Sequence, residues 1–209
     1  GPFEEAITSL KHLINELKVY GIEINYLDMG GGLGITYADE SPPQLHEYAG
    51  AISKPLEGMD LHLILEPGRV IVGNAGILVT QVLYRKSGQA KEFIVTDAGM
   101  NDLMRPALYG AFHAIQPVRK SGGDSITADV VGPICESSDF LALDREIADV
   151  NRGDLLAVMS AGAYGFTMSS NYNSRPKPAE VMARGDRFHV IRKRQTYADL
   201  VEGESIWKN

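Results

Sequence analysis

The sequence predicts an α/β segment followed by an all-β segment, the two meeting near residue 76. Three observations predict it. Up to Gly76 the apolar pattern alternates helix and strand, α-β-α-β, the grammar of a parallel sheet or a (β/α) barrel. After Gly76 strand patterns dominate and glycines punctuate them, which reads as an antiparallel β-sandwich or barrel. Both strands of the first segment run straight into chemistry: Asp28-Met29 into a glycine turn, and Leu65 into Glu66-Pro67-Gly68-Arg69.

Phe3, Ile7, Leu10, Leu13, Ile14, Leu17 and Tyr20 recur at three- and four-residue steps, with Glu4, Glu5, Lys11, Asn15, Glu16 and Lys18 between them. This is an amphipathic helix, with Pro2 in its first turn and Gly21 as its C-cap. Ile24–Met29 is the first strand. Ser41-Pro42-Pro43 opens a second helix, with Leu45, Tyr48, Ala49, Ile52 and Leu56 on one side. Leu61–Leu65 is short and mostly apolar, the pattern of a buried strand. Two such units are too few to close a barrel or to cover both faces of a parallel sheet, so the first segment reads as incomplete.

Ile77–Arg85 and Lys91–Thr96 are the next strands. A short helix is expected between Asp97 and the Arg105-Pro106 break. Strands follow around Phe112–Pro117, Ser125–Val131, Asp139–Asp144, Asp154–Met159 and Arg187–Arg192. Gly110, Gly122, Gly123, Gly132, Gly153 and Gly185 separate them. The expected division is 1–76 and 77–209, without internal repeats.

Bulk properties exclude several classes. Net charge is −7 over 209 residues and no basic run stands out, which argues against nucleic acid. No apolar stretch approaches the ~20 residues of a membrane span. The N-terminus lacks the basic and apolar regions of a signal peptide. One cysteine, Cys135, precludes an intrachain disulfide, and a reducing cytoplasm is the expected home. His12, His46, His62, His113 and His189 show no zinc-type pairing, and no Gly-x-Ser-x-Gly elbow occurs.

Gly30-Gly31-Gly32-Leu33-Gly34 lets backbone N–H groups converge on an anion such as phosphate. It is neither a P-loop nor a dinucleotide fingerprint, and alone it would serve equally as a tight turn. Glu66 at a strand end can hold a proton on a ring nitrogen, or simply pair with Arg69. Gly68 and Arg69 add an N–H group and positive charge. Arg105 can clamp a carboxylate with Tyr109 four residues on, or pair with Asp97 or Asp102. Cys135, between Gly132-Pro133 and Glu136, reads as an exposed thiol able to act as an acid, although a lone cysteine is more often a buried hydrophobe. Tyr164, among Ala161, Gly162, Ala163 and Gly165, offers a ring and a hydroxyl, or fills a core.

Taken in order, Gly30–Gly34, Glu66–Arg69, Val95–Tyr109, Val131–Ser137 and Ser160–Gly165 closely resemble the fold-type III, alanine-racemase-like family of pyridoxal-phosphate decarboxylases, in its diaminopimelate-acting branch. Each motif alone is modest; five in family order, over nearly the whole chain, are specific. The resemblance implies the last two βα units of a (β/α)8 barrel that binds pyridoxal 5'-phosphate (residues 1–76), then a C-terminal antiparallel β-sandwich or barrel domain (77–209). It implies that Gly30, Gly31, Gly32, Gly68 and Arg69 hold the cofactor phosphate, that Glu66 meets the ring nitrogen and that Tyr164 touches the cofactor and substrate. Arg69, Arg105 and Tyr109 would bind substrate carboxylate. Cys135, as catalytic acid, and Glu136, on the distal amino group, would reach the site of a second subunit, giving a homodimer with shared sites. The implied reaction turns meso-2,6-diaminopimelate into L-lysine and CO2.

The family's Schiff-base lysine and its cofactor-stacking histidine precede the stretch these motifs cover. Lys11, Lys18 and Lys54 do not occupy that motif, so these 209 residues alone are expected to be inactive. The alternatives are a fold-type III decarboxylase acting on ornithine, arginine or carboxynorspermidine, and a non-catalytic dimerisation module.

Overall fold

The computed structural model describes residues 2–119 and 124–207; Gly122 and Gly123 lie outside them, as do the side chains of Phe3 and Glu4. The chain forms two compact units, 1–72 and 73–209.

The first unit opens with α1 (Pro2–Val19), which buries Ile7 completely. It ends in two reversed hydrogen bonds, Ile22 N–H to Leu17 and Gly21 N–H to Lys18, with Gly21 at φ +76°. That closure needs a left-handed residue, which glycine supplies without a Cβ clash. β1 (Tyr26–Asp28) follows, then α2 (Leu45–Ser53), a 3-10 turn over Lys54–Leu56, and β2 (His62–Ile64). Glu47 Oε2 accepts from the Gln44 N–H at 2.8 Å and fastens the start of α2. β1 and β2 pair in parallel, Leu27 opposite Leu63.

One expectation fails here. Leu61–Leu65 reads as a buried strand, yet Leu63, Ile64 and Leu65 are 40%, 43% and 41% exposed. A parallel sheet becomes dry only when helices or further strands cover both faces. Among the described residues, β2 pairs with β1 alone.

The second unit holds β3 (Leu78–Ser87), β4 (Glu92–Thr96), α3 (Arg105–Tyr109), β5 (Ile115–Pro117), β6 (Ser125–Val131), β7 (Phe140–Ala148) and β8 (Leu155–Val158). The six strands form one sheet in the order β5-β8-β3-β4-β6-β7. β3 pairs with β8 over Leu78–Gln81 and with β4 beyond, with a register shift between Val82 and Tyr84. A long strand that changes partner at such an irregularity bends the sheet. The two ends of the order, β5 and β7, come into contact, so the sheet is a nearly closed barrel. Val82, Ile94, Leu103, Val130, Leu141, Leu156 and Val158 fill it. The sheet is mixed rather than antiparallel throughout, because β4 and β6 run parallel.

Two further expectations change. The short helix α3 starts at Arg105-Pro106 instead of ending there. Proline lacks an N–H that the first turn would leave unbonded anyway, so it opens helices as readily as it breaks them. A strand the sequence pattern did not single out, β9 (Glu180–Arg184), pairs with β10 (Arg187–Arg192) across Gly185-Asp186, with Gly185 at φ +62°. A last turn, α4 (Tyr197–Leu200), is capped by Thr196, whose Oγ1 accepts from Asp199 N–H.

Candidate functional site

In the first unit, the glycine turn and the Glu66 strand end share one edge of the β1–β2 pair. Met29 N–H donates to Ile64 and Glu66 N–H to Gly30, so the parallel ladder runs on past both strands. Gly31 lies flat against this edge. A Cβ there would stand 2.3 Å from the Glu66 carbonyl oxygen, 3.3 Å from its carbonyl carbon and 4.0 Å from Gly68 N. Glycine is therefore dictated by backbone against backbone. Gly30 and Gly32 take φ +64° and +101°. Asp28 Oδ1 accepts the Gly30 N–H at 2.8 Å. Among the described residues, the N–H groups of Gly31 and Gly32 meet no acceptor. Arg69 Cζ stands 6.0 Å from the Tyr37 ring centroid. The structure thus brings Gly30, Gly31, Gly32, Glu66, Gly68 and Arg69 together, with amide donors open to an anion; these residues fit a phosphorylated cofactor.

In the second unit, two segments carry the expected residues. The first runs from Asp97 to Tyr109. Asp97 spends its carboxylate on Thr80 Oγ1 (2.6 Å) and Gln81 N–H (2.8 Å). Asp102 accepts from Gly99 N–H, and burial pushes its carboxyl up from the ordinary value. Arg105 is 7% exposed, and its Nη1 donates to His113 Nε2 at 3.0 Å. Tyr109, four residues on, is 65% exposed.

The second segment is Gly132–Asp139. Cys135 and Glu136 are exposed. Glu136 Oε2 accepts from Tyr172 O–H at 3.3 Å, and that carboxylate's charge, more than any other cause, pushes the phenol of Tyr172 up. Asp139 joins the two segments. Its buried carboxylate accepts from Met100 N–H at 2.6 Å and from Ile134 N–H at 2.5 Å. Burial pushes the Asp139 carboxyl up, against the pull of those two hydrogen bonds. Gly132 meets Gly99 beside it, with only 2.4 Å from an added Cβ to Gly99 Cα.

Tyr164 sits at φ +60° in a tight loop where Ser160 is also left-handed, at φ +56°. Non-glycine residues adopt that conformation seldom and at a cost, and such residues cluster at working sites. The small residues around Tyr164 serve the chain itself: Gly162 packs against Gly76, and Gly165 against the Ala161 carbonyl. Asn74 Nδ2 donates to Ser160 Oγ at 2.8 Å and ties the loop down.

The sequence pattern did not single out His113 as a partner of Arg105, nor Asp139 and Tyr172. A signal existed only for Asp139, an acid three residues after Glu136 at the start of a strand. A cavity of about 320 Å³ beside Lys91 lies apart from these segments, and there Lys91 already pairs with Asp129 and Asp144. Among the described residues no cluster of His, Cys, Asp and Glu suits a metal ion, and no helix is long and apolar enough to cross a membrane.

Residues 17–162 match the family described as pyridoxal-dependent decarboxylase, C-terminal sheet domain. The diaminopimelate decarboxylase of Vibrio cholerae is 53% identical over 206 residues, which is 98% of this chain and 49% of that protein. The crystal structure of diaminopimelate decarboxylase from M. jannaschi superposes with a TM-score of 0.92 at 40% identity, covering 99% of this chain and 49% of that one. The Helicobacter pylori enzyme, crystallised with L-lysine, gives 0.88 at 44% identity, covering 96% and 50%. The chain spans about half the length of the curated relatives it matches.

Proposed function

Since this chain belongs to the pyridoxal-dependent decarboxylases, we propose that it forms half of an enzyme converting meso-2,6-diaminopimelate to L-lysine and CO2. The observation that carries the reading is similarity along nearly the whole chain to diaminopimelate decarboxylases, some of whose structures hold L-lysine, the expected product. The active polypeptide includes the remainder of a barrel that residues 1–76 complete, and it works as a cytoplasmic homodimer.

Bound pyridoxal phosphate supplies a ring that takes up the electron pair left when CO2 departs. The amides of Gly30, Gly31, Gly32 and Gly68, with Arg69, hold its phosphate. Glu66 would hold a proton at the ring nitrogen, and Tyr164 would contact the cofactor and the substrate. Arg69, Arg105 and Tyr109 hold substrate carboxylate. Arg105 suits that task because a guanidinium offers two parallel donors to a carboxylate. Glu136 would take the distal ammonium, and the exposed Cys135 thiol would deliver a proton to the substrate carbon that has lost CO2 in the neighbouring subunit's site.

The test is a substrate panel on the full-length polypeptide, followed by CO2 release. Turnover should be fastest with meso-diaminopimelate; faster turnover of ornithine, arginine or carboxynorspermidine overturns the choice. These 209 residues alone should form no lysine.

A further inference from the structure

His113 is wholly buried in the second unit, and its ring nitrogens face two groups of fixed character. Nδ1 lies 2.8 Å from the Met159 carbonyl oxygen, which only accepts. Nε2 lies 3.0 Å from Arg105 Nη1, which only donates. One protonation state satisfies both contacts: a neutral imidazole with its proton on Nδ1. We propose that His113, in this tautomer, is the positioning residue that sets the direction of the Arg105 guanidinium toward substrate carboxylate. The proposal rests on the carboxylate-binding role given to Arg105 above.

The surroundings favour the neutral ring. Among the described residues, Arg105 from α3 and Arg145 from β7, both cations, act on His113 through their charge. Burial, first, and then these two charges hold its pKa below the ordinary histidine value, against the Met159 carbonyl. Arg145 Nη1 donates to the His113 carbonyl oxygen at 2.8 Å, and Arg145 Cζ stands 3.8 Å from the Phe112 ring centroid. The backbone at His113 is thus held as well as the ring. A protonated His113 would withdraw the Nε2 acceptor from Arg105 and set a second cation against it.

Two measurements test this. The first is 15N NMR of the imidazole in the wild-type chain, which needs no variant. A protonated Nδ1 and a bare Nε2 are expected at pH 7; an Nε2–H tautomer or a cation there overturns the proposal. The second is steady-state kinetics of the full-length enzyme. H113N keeps a donor on the Met159 side and removes the acceptor for Arg105, so KM for diaminopimelate should rise about tenfold, the loss of one charged hydrogen bond, with kcat much less affected. H113Q places an amide oxygen where Nε2 was and should recover most of that loss. H113N with an unchanged KM, or an H113Q that folds and recovers nothing, overturns the role of His113 while leaving the decarboxylase reading intact. Wild-type enzyme that releases no CO2 from diaminopimelate overturns both.

Discussion

The two units treat similar strands in opposite ways. In residues 73–209, Ile94, Val130, Leu156 and Val158 are sealed inside a nearly closed sheet. In residues 1–72, Leu63, Ile64 and Leu65 form an equally apolar strand end that stays open to solvent. The difference lies in the neighbours: six strands against two, and a mixed sheet that curls on itself against a parallel pair. Stability is built into one unit. The other displays a glycine turn and a strand end, whose value is what they can hold.

Four changes would break or sharpen that contrast. Leu156→Ala, inside the closed sheet, should cost about 2–5 kcal/mol in urea unfolding of the second unit, whereas Leu63→Ala should cost less than about 0.5 kcal/mol in this chain. Equal losses would erase the contrast. Asp139→Ala strips the acceptor from two buried backbone N–H groups and should cost about 3 kcal/mol, with faster hydrogen exchange at Met100 and Ile134. Unchanged exchange there would show that Asp139 does not join the two segments. Gly31→Ala should weaken pyridoxal phosphate binding to the full-length protein at least about tenfold, because its Cβ must displace the Glu66 backbone, while the second unit melts as before.

The smallest effect is a pH dependence. His113 is held below its ordinary value in the folded chain, so between that lowered pKa and about 6.5 the unfolded chain binds more protons. Its contribution is intact above about pH 6.5 and declines as pH falls toward the folded value. Urea midpoints at pH 8, 6.5 and 5 should show a decline that H113Q lessens; the same slope in both would remove His113 as its source.

Much of the architecture was legible because it follows local periodicity. Ser125–Val131 and Arg187–Arg192 are strands over the residues their pattern marks. Gly21 caps its helix as a glycine there should. The glycine turn and Glu66 could be marked as neighbours because both follow strands one βα unit apart. The strand β9 was hidden behind Pro176 and Pro178, and its partner across Gly185 supplies the pairing that its own sequence does not announce. The Arg105-Pro106 pair was ambiguous, since proline both ends and opens helices.

What the sequence determined by itself is whatever a few consecutive residues decide: helix and strand periods, the caps and turns, the motifs of a pyridoxal-dependent decarboxylase. Tertiary structure alone decided which apolar strands are dry, that β4 and β6 run parallel, that Asp139 spans two loops, and that His113 accepts from Arg105. Each of these depends on groups far apart in the chain. Side-chain period records which way a residue points, but only packing determines what it meets there.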